Sequence, residues 1–288
     1  MKKTLFFILS ALISFNAFSQ KLLLSWSQRN IENYTEEMYD DAQRLTSSEL
    51  LQKNIDDESW SGVFLTQNAS INNYSNDTAY WRGLADQLTN RKETKLTGTS
   101  RLIIWDRIIT GDIIFEGKGL LYENDLFTVA GRANQILQDL SKKNFGYVTI
   151  NSTENDLQEL KNKWVSFLSN NIVEEYQPIE YPNAEIHEIC SLSAVHAFIV
   201  SLQDNPAKDR ITKNCLKNVY NLDKMPKDKG SSAIYCDPDT YTFINLAMLF
   251  GDKKIDKKKD AAWWLKFWNE NHNNLHWNDE LGFYEVKK

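Results

Sequence analysis

Apolar residues along this chain recur mostly at three- and four-residue intervals, a spacing that predicts helices. Over 154–168, Leu157, Leu160, Trp164 and Leu168 fall on one face, and Ser152 or Thr153 stands where an N-cap belongs. A helix is predicted over 184–203, where Leu192, Val195, Ile199 and Leu202 form a stripe. Asn205-Pro206 ends it, and Pro206 suits the first turn of a helix carrying Ile211, Cys215, Val219 and Leu222. Further helices are predicted over 35–55, which lacks Gly and Pro, over 78–88 after a polar Asn/Ser/Asp stretch, and over 100–109, stopped by Gly111. Asp125 is the predicted N-cap of 126–140. The last two helices begin near Asp237-Pro238, running to Phe250 ahead of Gly251, and cover 260–271.

Strand signals concentrate at one place. Ile113-Ile114-Phe115 and Leu120-Leu121-Tyr122 flank Glu116-Gly117-Lys118-Gly119, the pattern of a small hairpin. Residues 176–183, with Pro178 and Pro182, and residues 223–237 read as connectors. Helix, turn and helix recur through the second half without a fixed period, as in stacked helical pairs that have diverged.

The first residues change the picture of compartment. Lys2 and Lys3 precede an apolar run over 5–18, and Ala17 and Ser19 are small residues two apart. This is the pattern of a cleavable bacterial export leader over 1–19, cut before Gln20, with no Cys there to take a lipid. The run is short for an uncleaved anchor, and no later apolar stretch is long enough to span a bilayer. The expectation is a soluble exported protein, periplasmic or secreted. Losing Lys2 and Lys3 takes the net charge from −6 to −8. An acidic chain without a basic stripe argues against nucleic-acid partners. Hydrophobic residues make up 42% of the chain, enough for a sizeable core. Cys190, Cys215 and Cys236 permit one disulfide in an oxidising compartment, and their spacing does not choose the pair.

Three patches resemble secreted helical-repeat proteins of the HEAT-like kind. One runs from Trp105-Asp106-Arg107 through Gly111-Asp112 to Gly119-Leu120 and on through Asp125-Leu126-Phe127 to Gly131-Arg132-Ala133-Asn134. Another is Leu202-Gln203-Asp204-Asn205-Pro206 with Arg210, similar to the turn inside a HEAT unit. The third joins Trp263-Trp264, Phe267-Trp268-Asn269, His276-Trp277-Asn278 and Tyr284, and resembles the segment that closes such arrays. The resemblance implies an all-α superhelical array over 91–288, carrying the one small hairpin, behind an added helical cap over 20–90. The whole of 20–288 then forms one helical domain. It also implies a binding scaffold, and it brings no catalytic residues.

The search for chemistry points the same way. Gly111 to Gly119 has the wrong spacing for a phosphate loop and lacks the hydroxyl after Lys118. His187 and Cys190 lie about 60° apart on the expected helix, with His196 on the other side, so the three do not share a metal. His187 beside Glu185 or Glu188 reads as a surface or satisfied histidine rather than a base. Neither a GxSxG elbow nor an SxxK motif is present to make a nucleophile with His187, His196, His272 or His276. The carboxylate runs Asp40-Asp41, Asp56-Asp57-Glu58 and Asp279-Glu280 read as solvated faces. A glycosidase pair needs no proximity in sequence and stays open. Trp263, Trp264, Phe267 and Trp268 read as core beneath Trp277 and Tyr284, with an exposed stacking platform as the other reading. Gly131 predicts close helix contact, and Arg132 beside it a carbonyl cap or a pairing with Asp106 or Asp125. The sequons at Asn33 and Asn151 read as chance in a bacterial chain.

No catalytic residue, cofactor or metal ligand set is therefore expected. The expectation is a non-catalytic exported scaffold for a protein partner. An antitoxin-like immunity protein falls within that class, although no residue points to it. The alternatives are an envelope hydrolase working through carboxylates and a glycan-binding module using the Trp-rich end. A carboxylate pair inside one cleft would favour the hydrolase, and exposed coplanar Trp rings the glycan module.

Overall fold

The computed structural model describes residues 34–97, 102–177, 189–228 and 230–287. The export leader and its cut site, Asn33, Pro178 and Pro182, Glu185, His187 and Glu188 lie outside the described residues. Within them the chain is mostly helical, with eleven α-helices and two two-stranded sheets.

The helix expected over 35–55 is two helices, α1 (Glu36–Gln43) and α2 (Ser47–Asp56). Thr46 interrupts them. Its hydroxyl accepts from the Glu49 N–H, and the Glu49 carboxylate accepts from the Thr46 N–H at 2.7 Å. This reciprocal capping box satisfies orphan donors that a continuous helix would not have, so a new helix starts there. The next helix, α3 (Trp60–Tyr74), was not expected. It buries Val63, Phe64, Leu65 and Ala69 together with Ser61, Thr66, Asn68 and Ser70. A helix covered on most sides, by α1, α2 and α6, has no polar face to mark its period. Asp77 caps α4 (Thr78–Asp86), close to the expected 78–88.

The expected helix over 100–109 shortens to α5 (Trp105–Ile109), because β1 (Leu102–Ile103) precedes it. Gly111 does stop the helix, with φ at +83°. The hairpin expected over 113–122 does not form. Leu120–Leu121 is β2, and it pairs in parallel with β1, Leu102 opposite Leu120. Parallel pairing needs a crossover rather than a tight turn, and α5 with the segment after it supplies one. Ile113 and Phe115 bury themselves instead of pairing, with Phe115 against Trp105 and Phe198.

Helix α6 (Val129–Ser141) is capped by Thr128, not by Asp125. Helix α7 (Glu154–Leu168) has its expected bounds, a Thr153–Asp156 capping box, and Leu157, Leu160 and Trp164 buried. Helix α8 (Leu192–Ser201) buries Val195 and Ile199 and leaves Leu192 exposed. Pro206 opens α9 (Pro206–Cys215), which continues as a π-turn over Leu216–Tyr220. No residue of α9 is buried, so its expected stripe does not reach the core, and Val219 is exposed. Helices α10 (Pro238–Leu249) and α11 (Ala261–Asn271) are capped by Asp237 and Asp260. The antiparallel hairpin lies at the end of the chain, β3 (Leu275–Asn278) with β4 (Phe283–Val286). Trp277 and Tyr284 are its facing pair, and Tyr284 folds onto Phe250, as expected of a closing segment.

One apolar core runs from Tyr39 to Tyr284. Helices α3, α4, α6 and α7 pack on one side of it and α8, α10 and α11 on the other, and α5 against α8 joins the two. Beside it, a Cys215–Cys236 disulfide closes a small satellite cluster with Leu216 and Ala233. Cys190 is buried outside that disulfide. No helix among the described residues is long and apolar enough to cross a membrane.

Candidate functional site

The joint between the two sides of the core carries an open cleft. Trp105 of α5 meets Phe198 of α8 edge to face, ring centres 5.0 Å apart, with Phe115 wedged against both. Such a cluster buries much apolar area in a fixed geometry. It sets α8 so that Ser193 and His196, three residues apart on one helical face, look into the cleft with Asp106 of α5. Helix α11 brings Trp268, and His272 one turn later, to the opposite wall. Ile150 and Asn151, from the turn before α7, close one end. The cleft volume is about 470 Å³.

Three rings form one stack that reaches across the cleft. His196 lies flat on Trp268, centres 4.6 Å apart and planes 11° off parallel. His272 stacks on Trp268 at 5.5 Å and 26°. His272 Nδ1 is 2.9 Å from the Trp268 carbonyl oxygen. A carbonyl only accepts, so Nδ1 carries the hydrogen, and in the neutral ring Nε2 keeps the lone pair.

Asp106 is the carboxylate lining the cleft. Burial holds its carboxyl above the ordinary range, opposed by a hydrogen bond from the Ser193 hydroxyl. Asp125 raises it further, and the Arg107 charge lowers it. Arg107, next in sequence, points elsewhere. Its guanidinium donates to both Asp125 oxygens at 2.7 and 3.0 Å, to Glu93 at 2.9 Å and to Asp112 at 3.1 Å. Burial, and then His272, push His196 below the usual imidazole value. Burial thus acts on both groups, raising the Asp106 carboxyl and lowering the His196 imidazole.

The other candidates fall elsewhere. Cys190 precedes α8, and its carbonyl accepts from the Tyr284 hydroxyl. His276 on β3 faces Glu285. Gly111 to Gly119 is part of the crossover, and no group of three or more His, Cys, Asp or Glu among the described residues is placed to hold a metal. Asp41 pairs with Arg44 and Asp56 with Lys95 at exposed positions. The aromatic end divides: Trp264 is buried, whereas Trp263 is 37% exposed and lies parallel to Phe267 at 5.2 Å. Arg132 caps carbonyls, donating to those of Leu126, Asn54 and Asp57. It pairs with neither Asp106 nor Asp125 in the ion pairs of the described residues. Gly131 is in close contact as expected, but with the loop before its own helix. An added Cβ would stand 1.9 Å from the Asp125 carbonyl oxygen.

Among the described residues, the cleft lining offers one carboxylate, Asp106. Ser193 acts on the Asp106 carboxyl as a hydrogen-bond donor, and no hydrogen bond joins it to His196 among the described residues. The lining suits recognition by a ring stack, a carboxylate, and the polar groups of Asn151, Thr110 and Asn273. The sequence reading missed this site. Its trace was there, in Ser193 and His196 three apart and Trp268 and His272 four apart, but nothing in the sequence says that these two helices meet. No family model, no curated protein and no solved structure matches this chain.

Proposed function

We propose that this protein is a non-catalytic, exported helical scaffold, and that the cleft between α5, α8 and α11 receives part of a protein partner in the cell envelope. The observation that carries the reading is the content of the cleft: a stack of three rings beside a single carboxylate among the described lining residues, a surface suited to recognition. Export rests on the sequence of residues 1–19 and is supported by the disulfide, since such bonds persist in oxidising compartments. The finer reading, a HEAT-like superhelix, rests on the sequence patches and on consecutive helices packing together at α2 with α3 and α9 with α10. The contact of α5 with the distant α8 is one that a strict nearest-neighbour array lacks.

The test is capture of partners by the protein as its own host processes it, tagged at the C-terminus, with a Ser193→Trp variant that fills the cleft. One stoichiometric protein held by the unaltered chain and lost from the variant is the expected result. A partner held equally by both, or retention on cell-wall glycan alone, would overturn the reading. The glycan result would move the assignment to the Trp263 platform.

A further inference from the structure

We propose that the group the cleft recognises is a guanidinium, presented as an arginine side chain of the partner, held between Asp106 and the His196–Trp268 stack. The proposal rests on the reading of the cleft as a protein-binding site and names its chemistry.

Asp106 is a half-buried carboxylate with no ion pair to a Lys or Arg among the described residues. The cation beside it in sequence, Arg107, is committed to three other carboxylates. Buried charges are ordinarily paired, and a carboxylate left with one hydroxyl donor is poor compensation for lost water. A cation arriving in the cleft would restore that compensation. The walls select which cation. A guanidinium is planar, weakly hydrated and stacks on aromatic faces, whereas an ammonium is a compact point charge that prefers acceptors all round. His196 and Trp268 lie face to face, so a guanidinium would extend this stack at its open end, and a carboxylate accepts two parallel N–H bonds from a guanidinium fork. His272 Nε2 adds an acceptor in the same stack, because its Nδ1 hydrogen is taken by the Trp268 carbonyl. An anionic ligand would meet Asp106 with like charge.

The probes are acetyl-arginine N-methylamide and its uncharged isostere, acetyl-citrulline N-methylamide, titrated into the full protein while the Trp indole resonances are followed. The expected result is saturable binding of the arginine compound at millimolar concentration, with the citrulline compound at least about tenfold weaker. Asp106→Asn keeps an oxygen for Ser193 and should remove that preference without lowering the melting temperature. Equal binding of the two compounds, or no saturable binding of the arginine compound, would overturn the proposal, and this comparison needs no variant. A partner captured by Asp106→Asn as well as by the unaltered chain, yet lost from Ser193→Trp, would sink the guanidinium and keep the scaffold. Arginine binding without any captured protein would sink the scaffold reading and leave the guanidinium to come from a small molecule.

Discussion

The two sides of the cleft are held together by different physics. Around α6 the packing is directional. Arg132 donates to three backbone carbonyls, that of nearby Leu126 and those of Asn54 and Asp57 in one distant segment. Asn134 donates to Asn124 and to the Gly146 carbonyl, and accepts from the Trp164 indole. Arg107 gathers Asp125, Asp112 and Glu93. Around α11 the packing is by area: Phe250 touches Trp264, Phe267 and Tyr284, and Trp263 lies on Phe267. Hydrogen bonds lose strength steeply with angle, while the stabilisation from buried apolar area is non-directional. On this contrast the side carrying Asp106 is expected to be held more tightly than the side carrying Trp268 and His272.

The hardest blow to this contrast is at Arg107. Arg107→Ala leaves the buried Asp125 carboxylate without its partner and should cost about 3–5 kcal/mol in urea unfolding. A loss below about 1 kcal/mol would mean that the frame is not directional after all. The disulfide sharpens the contrast from the other side. Cys215 and Cys236 are 21 residues apart, and a closed loop of that size contributes about 3 kcal/mol. Because they staple a satellite cluster, reduction should open amide exchange in 216–235 while α6 stays protected. Loss of protection in α6 at the same time would merge the two regions.

Trp264→Phe should cost about 1–1.5 kcal/mol in thermal melting, because surrounding rings can repack around a smaller one. A cost like that of Arg107→Ala would show that the aromatic end is as tightly specified as the frame. Thr46→Ala should cost about 1 kcal/mol through loss of the α2 cap. Its effect should appear as fraying of α2 in amide exchange, with the cleft untouched.

The mildest test is pH. Burial raises the Asp139 carboxyl, more than the donors Gln67 and Gln135 and the charge of Lys142 lower it. A raised folded value means that the native state holds the proton more tightly than the unfolded chain. The stability this contributes is complete below the ordinary aspartate value of 3.8 and is lost as pH rises through the raised value. Asp139→Asn should flatten that decline between acid and neutral pH. An unchanged slope would show that the group is ionised without penalty.

Much of the helical frame was legible because its signals are local. The bounds of α7 follow from Thr153 and the Leu157–Leu160–Trp164 face, and Asp237-Pro238 and Asp260 mark the starts of α10 and α11. Thr46-Ser47-Ser48-Glu49 carried an equally local message, a capping box, that an apolar count passes over. Helix α3 was hidden because burial on most sides erases the polar face that periodicity needs. The hairpin over 113–122 was misread because Leu120 takes its partner from Leu102, across a crossover that no pairwise turn signal encodes. The site was least legible of all. Asp106, Ser193 and Trp268 come together only through the Trp105–Phe115–Phe198 cluster and the packing of α11 on α8, which are long-range contacts.

The reach of Arg132 has a consequence for how the chain comes to be folded. Its guanidinium ties carbonyls 78 and 75 residues earlier, at the end of α2 and just beyond it. Synthesis delivers α1, α2 and α3 first, and they wait for that clasp until residue 132 has emerged. Closing so long a loop is entropically costly and slow beside helix formation, which is local. The early helices are thus held as a loose, exposed bundle for the time it takes to make roughly half the chain. That interval, more than the final structure, is when this protein is open to proteases.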